Sequence, residues 1–200
     1  MVVKNRRDKG VARVERRLFH IVAGSLFPLL ALVLPQWIII LLAATGTGVS
    51  IILEVSRRRS RRVNDWFTSR FSVLLKESES SQTLGSTYLL AATLLAFLLF
   101  DRDVAVLALL FLAVGDPLAA LVGERYGRAR IRKKSVEGSL AFMVGAAQVG
   151  WVLIAGGLDI SLWVVMSGAA VAALVELLSL PPDDNITVPL VAGAVMTPLM

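Results

Sequence analysis

The sequence predicts an all-α protein, a polytopic integral membrane helical bundle of about seven transmembrane helices with its N-terminus in the cytoplasm. Three observations carry that expectation. Of 200 residues, 56% are hydrophobic and only 18% are charged, and the mean hydropathy is +0.73. Soluble domains sit nearer half apolar and a quarter charged. Charge is also segregated along the chain. All but Arg102 of the 21 Lys and Arg residues fall within 1–17, 57–76 and 125–134. Finally, the polar residues that interrupt the apolar runs gather near the ends of those runs that adjoin the basic segments.

A spanning helix needs roughly 17–25 mostly apolar residues. Candidate spans are 18–34, 36–54, 84–100, 104–123, 139–157, 160–180 and 186–200. The first follows the basic segment MVVKNRRDKGVARVERR. It continues into large residues and Pro28, which predicts a retained helix rather than a cleaved signal. Tight turns at Pro35, at 101–103 (DRD) and at 156–159 (GGLD) join spans on one side. The connections 55–83, 124–138 and 181–185 lie on the other. Their basic content places them in the cytoplasm with the N-terminus. The last span is short and holds Pro189 and Pro198. The whole of 1–200 reads as one domain, with no internal repeat. Cysteine is absent, which excludes disulfides and thiolate metal sites. The net charge of +6 sets membrane topology here, so no nucleic-acid partner is expected.

The segment RRRSRRVNDWFTSRFSVLLK (57–76) is basic with interleaved apolar residues. It fits an amphipathic helix on anionic lipid, and equally a solvated loop that sets topology.

Charge inside a span is costly and faces the bundle interior. Asp116, in FLAVGDPLAALVG, is the clearest case. Gly115, Ala119, Gly123 and Gly127 share its helix at four-residue spacing, which lets a neighbouring helix approach. Asp116 is either a structural carboxylate paired across the bundle or a functional one.

Directly after it comes GERYGRARIRKKSVEGSLAF (123–142). Arg125, Lys133 and Lys134 supply cations, Gly123, Gly127 and Gly138 permit close approach, and a helix N-terminus follows. That combination suits a polyphosphate. Asp116 and Glu137 are candidate Mg²⁺ ligands, since Mg²⁺ takes one or two carboxylates plus phosphate oxygens. No GxxxxGK[ST] motif is present, so an ordinary P-loop is excluded.

His20, the only histidine, clusters with Arg16 and Arg17 near the cytoplasmic end of the first helix. It reads as a structural residue or as a phosphate contact and proton acceptor. Glu176, Asp183, Asp184 and Asn185 end the sixth span and its turn. They offer a helix cap, or metal and base groups. Glu77 and Glu79 precede the third span on the same side. The outer half of the chain carries no such groups, which argues against a translocation path. A site polar above and apolar below suits chemistry on a lipid head.

Five segments carry a family likeness: RRLFHIVAG (16–24), KESESSQTLGSTYLLAA (76–92), GDPLAALVGERYGR (115–128), KKSVEGSLAF (133–142) and ELLSLPPDDNITVPLVAG (176–193). In this order the chain resembles the CTP-dependent polyprenol/phytol/diacylglycerol kinases, within the wider membrane cytidylyltransferase-like superfamily. Its length is nearer the phytol-kinase-like members than the dolichol-type ones. The resemblance implies an all-helical membrane fold, Mg²⁺, and transfer of the γ-phosphoryl group of CTP to a long-chain lipid alcohol on the cytoplasmic face, as in the plasma membrane of a prokaryote. It implies Asp116 as the central carboxylate and metal ligand. Gly115, Lys133, Lys134, Ser135, Glu137, Gly138 and Ser139 would belong to the nucleotide segment. Glu79, Glu176, Asp184 and Asn185 match acidic motifs, and Arg17 (or Arg16) and His20 match the first-helix motif. A CDP-lipid-forming cytidylyltransferase and a non-enzymatic membrane transporter or assembly factor are the alternatives.

Overall fold

A computed structural model describes residues 6–71 and 82–200, with side chains from Val14 onward. Among the described residues the chain is all-α apart from one small hairpin. Its helices are α1 (Arg6–Ala31), α2 (Gln36–Arg59), α3 (Arg61–Arg70), α4 (Gly85–Leu99) and α5 (Arg102–Tyr126). The hairpin β1 (Arg130–Ile131) and β2 (Lys134–Ser135) follows, then α6 (Val136–Ala155), α7 (Leu162–Leu178) and α8 (Asp184–Met196). A single 3₁₀ turn at Thr197–Leu199 ends the chain.

Helix α5 is the axis. Val104 through Ala113 are buried on every side, as a helix that is apolar all round must be. Around it, Leu107, Phe111 and Leu112 meet Phe142 of α6, Val165 of α7, and Val188 and Met196 of α8. Ala105 and Leu109 meet Ile39 of α2 and Phe97 of α4. Small residues let these backbones close up. A Cβ on Gly115 would lie 2.7 Å from the Phe142 ring, and one on Gly138 would lie 2.7 Å from the Ala119 carbonyl oxygen.

The exterior is apolar too. Val22, Leu29, Trp37, Ile52, Trp151 and Trp163 are all exposed, the pattern of a bundle surrounded by hydrocarbon rather than water. Helices α2, α5 and α6 are long and apolar enough to cross a membrane, and α4 and α7 are shorter apolar helices. Helix α8 has 13 residues, about 20 Å at 1.5 Å each, less than a bilayer core of about 30 Å.

The expected connections prove more ordered than loops. In 55–83, α2 runs on to Arg59 and α3 forms over Arg61–Arg70, so this part is helical. In 124–138 a hairpin replaces the expected loop. Its turn residue Arg132 has φ 54° and donates from Nη1 to the Leu178 carbonyl at 2.9 Å. That bond satisfies a carbonyl left open at the end of α7. The end of α5, the hairpin, the start of α6, the end of α7 and the start of α8 therefore meet at one end of the bundle. Arg102 lies at the other end of α5, 24 residues and about 36 Å away.

Candidate active site

Lys134 is the hub. It leaves β2 as α6 begins, and its Nζ lies 2.5 Å from Glu176 Oε1, 3.1 Å from Asp184 Oδ2 and 3.5 Å from Asp116 Oδ1. Three helices thus each bring a carboxylate to one ammonium. Glu176 is 1% exposed, and its second oxygen accepts from Ser139 Oγ at 2.8 Å. Burial opposes charge on Lys134, but Asp116, Asp184 and Glu176 outweigh it and raise its pKa above the usual lysine value. The ammonium therefore stays protonated at neutral pH.

Asp116 also faces α1. Its Oδ2 is 4.0 Å from His20 Nε2. Pro117 follows Asp116 inside α5 and has no N–H to donate to the preceding turn. About two turns further along α5, Arg17 Nη2 meets Glu124 Oε1 at 2.7 Å. At the start of α8, Asp183 caps the helix, accepting from the backbone N–H of Asn185 at 2.9 Å and from its side-chain Nδ2 at 2.7 Å. The Asp-Asp-Asn sequence thus splits its work. Asp183 caps the helix and is held by the Asn185 side chain, while Asp184 faces the lysine.

Two cavities share Lys134. The larger is about 430 Å³. Its polar end is formed by Arg16, Arg17, His20, Asp116, Lys134 and Asp184, and its apolar walls by Phe19, Ala23, Phe67, Phe71, Leu84 and Leu89. The smaller is about 210 Å³ and is lined by Gly123, Arg130, Lys133, Lys134, Ser135 and Gly138, with Glu176 at its base. Ser135 caps α6, its Oγ accepting from the Gly138 N–H at 3.1 Å. The positive end of that helix is therefore beside this cavity.

Other expected residues sit elsewhere. Glu137 accepts through Oε1 from the backbone N–H groups of Arg128 at 3.0 Å and Ala129 at 3.2 Å, so it ties the loop to α6. Gly115 packs under Phe142 and lines neither cavity. Gly127 ends α5, and its N–H bonds the Gly123 carbonyl. Arg125 lies over the Tyr126 ring at 5.4 Å. Glu77 and Glu79 lie outside the described residues. Among the described residues no group of three or more His, Asp and Glu side chains is arranged to hold a metal by itself. Of the predicted carboxylates, Asp116, Asp183 and Asp184 line the larger cavity, together with Glu124. Phe67, Phe71 and Leu84 of that cavity were not singled out in the sequence. The signal there was an apolar rhythm within a basic segment for Phe67 and Phe71, and the start of the third apolar run for Leu84.

An apolar chamber ending in carboxylates and a fixed lysine lies at one end of a helical bundle with an apolar exterior. Comparison with known proteins gives the class. The chain is 30% identical to the phytol kinase of Synechocystis sp. over 93% of its own length and 79% of that protein's. It is also 30% identical to an uncharacterised protein of Rickettsia prowazekii, over 88% and 89% of the two chains. Over 48% of its length and 31% of the relative's, it is 34% identical to the CTP-dependent diacylglycerol kinase 1 of Eremothecium gossypii. The chain belongs to this family of lipid kinases. No family model matches the chain, and no solved structure matches it.

Proposed function

We propose that the protein transfers the γ-phosphoryl group of CTP to the hydroxyl of a long-chain lipid alcohol at the cytoplasmic face of a membrane. One observation carries this reading: Lys134 stands between an apolar chamber and a small glycine-lined pocket, touching both, and the pocket's cations Arg130, Lys133 and Lys134 outnumber its carboxylates Glu124 and Glu176. The triphosphate occupies the smaller pocket. Arg130, Lys133 and Lys134 neutralise it, and the N-terminus of α6 faces it. The alcohol enters between α1 and α4, which both pack on α5 and barely meet each other. Its tail lies along the apolar walls and its hydroxyl reaches the polar end.

Phosphoryl transfer depends on positioning and charge neutralisation more than on covalent help. The hydroxyl oxygen attacks the γ-phosphorus, the bond to the β-phosphate oxygen breaks, and CDP leaves. His20 accepts the hydroxyl proton, and Asp116 beside it stabilises the imidazolium. Mg²⁺ fits the donors present: Asp116 and Asp184 offer hard oxygens facing the chamber, and the phosphates complete such a shell. When bound, the ion neutralises phosphate oxygens. Glu137, occupied by the loop, is left out of that set. The seven helices α1, α2 and α4–α8 form the membrane body, and the basic segments lie in the cytoplasm.

Purified protein in detergent, with Mg²⁺, γ-³²P-labelled CTP and a panel of prenols and diacylglycerol, tests this. Label entering the organic phase is the expected result. Pyrophosphate release with a lipid phosphate as acceptor, and no labelled lipid, overturns it in favour of cytidylyl transfer.

A further inference from the structure

The apolar wall of the larger cavity is set by a charged pair outside the site. Glu54 and Arg57, one turn apart on α2, are only 6% and 5% exposed. Glu54 Oε1 accepts from the backbone N–H of Leu84 at 2.7 Å and lies 3.7 Å from Arg57 Nη1. Arg57 Nε donates to Asn64 Oδ1 on α3 at 3.2 Å. Its guanidinium lies over the Phe67 ring, 4.9 Å from the centroid, within cation–π range. Phe67 in turn packs on Phe71, ring centroids 4.8 Å apart. Phe67, Phe71 and Leu84 all line the larger cavity. Among the described residues α3 packs chiefly on α2, and Arg57 is bonded to it there.

A buried ion pair is weak evidence for stability, because desolvation offsets most of the attraction. What this pair does is hold three wall residues, drawn from α3 and the approach to α4, in one geometry. We propose that Phe67 is the specificity-determining residue for the tail of the lipid alcohol, and that Glu54 and Arg57 are the positioning pair that sets it. The inference rests on the reading of the larger cavity as the acceptor chamber. Phe67 lines that chamber together with Phe19 and Ala23 of α1, and limits the bulk a tail can carry close to its hydroxyl.

The test uses the full chain in lipid nanodiscs, a long-chain alcohol bearing a diazirine on its tail, and alcohols of increasing branching near the hydroxyl. Photolabel is expected on the peptides carrying Phe67 and Leu84. Phe67→Ala is expected to raise the kcat/KM ratio of branched to linear alcohols by about tenfold, mostly through KM. The milder Phe67→Leu shifts it less, and Arg57→Met moves it the same way without touching substrate. An unchanged ratio in folded Phe67 variants, or label confined to other helices, overturns the inference. Label at Phe67 with no CTP-dependent product overturns the kinase reading instead. Competition of branched against linear alcohols for the label then reads the same selectivity without turnover, and equal competition in wild type and Phe67→Ala overturns the inference.

Discussion

The Nζ of Lys134 lies 2.5 Å from Oε1 of Glu176, which ties the basic hairpin to the buried end of α7. The contact gives the lysine two tasks. It compensates a carboxylate with almost no access to solvent, and it presents its two remaining donors to Asp116 and Asp184 at the edge of both cavities. Charge that served only topology would lie outside, as Arg125 and Arg128 do.

Removing this ammonium leaves three carboxylates facing one another, one of them buried. Lys134→Met is expected to destabilise the protein by about 3–5 kcal/mol and to abolish phosphoryl transfer. Thermal unfolding in detergent, alongside the labelled-CTP assay, checks both. A stable variant with normal activity would refute the role assigned to Lys134.

The pH dependence of that contribution has a definite sign. The folded pKa of Lys134 is raised above its ordinary value. Its stabilisation is therefore fully present below the unfolded pKa of about 10.4 and is lost as pH rises through the higher folded value. The stability difference between wild type and Lys134→Met is expected to stay flat between about pH 6 and 9 and to shrink only in strongly alkaline solution. Unfolding scans of both proteins across that range measure it.

Asp116→Asn keeps the shape of the side chain and removes its charge. The fold is expected to survive, while turnover drops by at least about a hundredfold. Circular dichroism and the phosphoryl-transfer assay separate the two effects.

Ser139→Ala deletes a hydrogen bond to the buried Glu176. A loss of about 1–3 kcal/mol is expected, with kcat lowered and the KM for CTP little changed. Steady-state kinetics with CTP varied would show whether Ser139 contacts the nucleotide instead, since its loss would then appear in KM.

Gly115 distinguishes packing from phosphate binding. A methyl group there would run into the Phe142 ring, so Gly115→Ala is expected to destabilise by about 1–3 kcal/mol. The KM for CTP in the folded fraction should be unchanged. A selective rise in that KM would return Gly115 to the nucleotide site.

The sequence by itself determined that the chain is a helical bundle with apolar helices, roughly where the apolar helices from α4 onward lie, and that its unusual polar groups cluster near the basic segments; it did not show that α1 begins at Arg6, within the basic segment. These are local quantities. Hydropathy needs only a window of residues, and an intramembrane Asp stands out by its solvation cost. It also held the candidates Asp116, Lys134, Glu176, Asp184 and His20. It could not show that Asp116, Glu176 and Asp184 share the Lys134 ammonium, since the four residues come from α5, α7, α8 and β2 and meet only when those elements pack. Nor could it separate Glu137 from Lys134 three residues earlier. The hairpin turns one carboxylate back onto the loop and sends the lysine into the bundle. The tertiary structure alone decided which carboxylates face the chamber. It also turned Phe67, an apolar residue in a basic stretch, into a wall of that chamber, because Arg57 and Glu54 are buried where α2 meets α3 and the approach to α4.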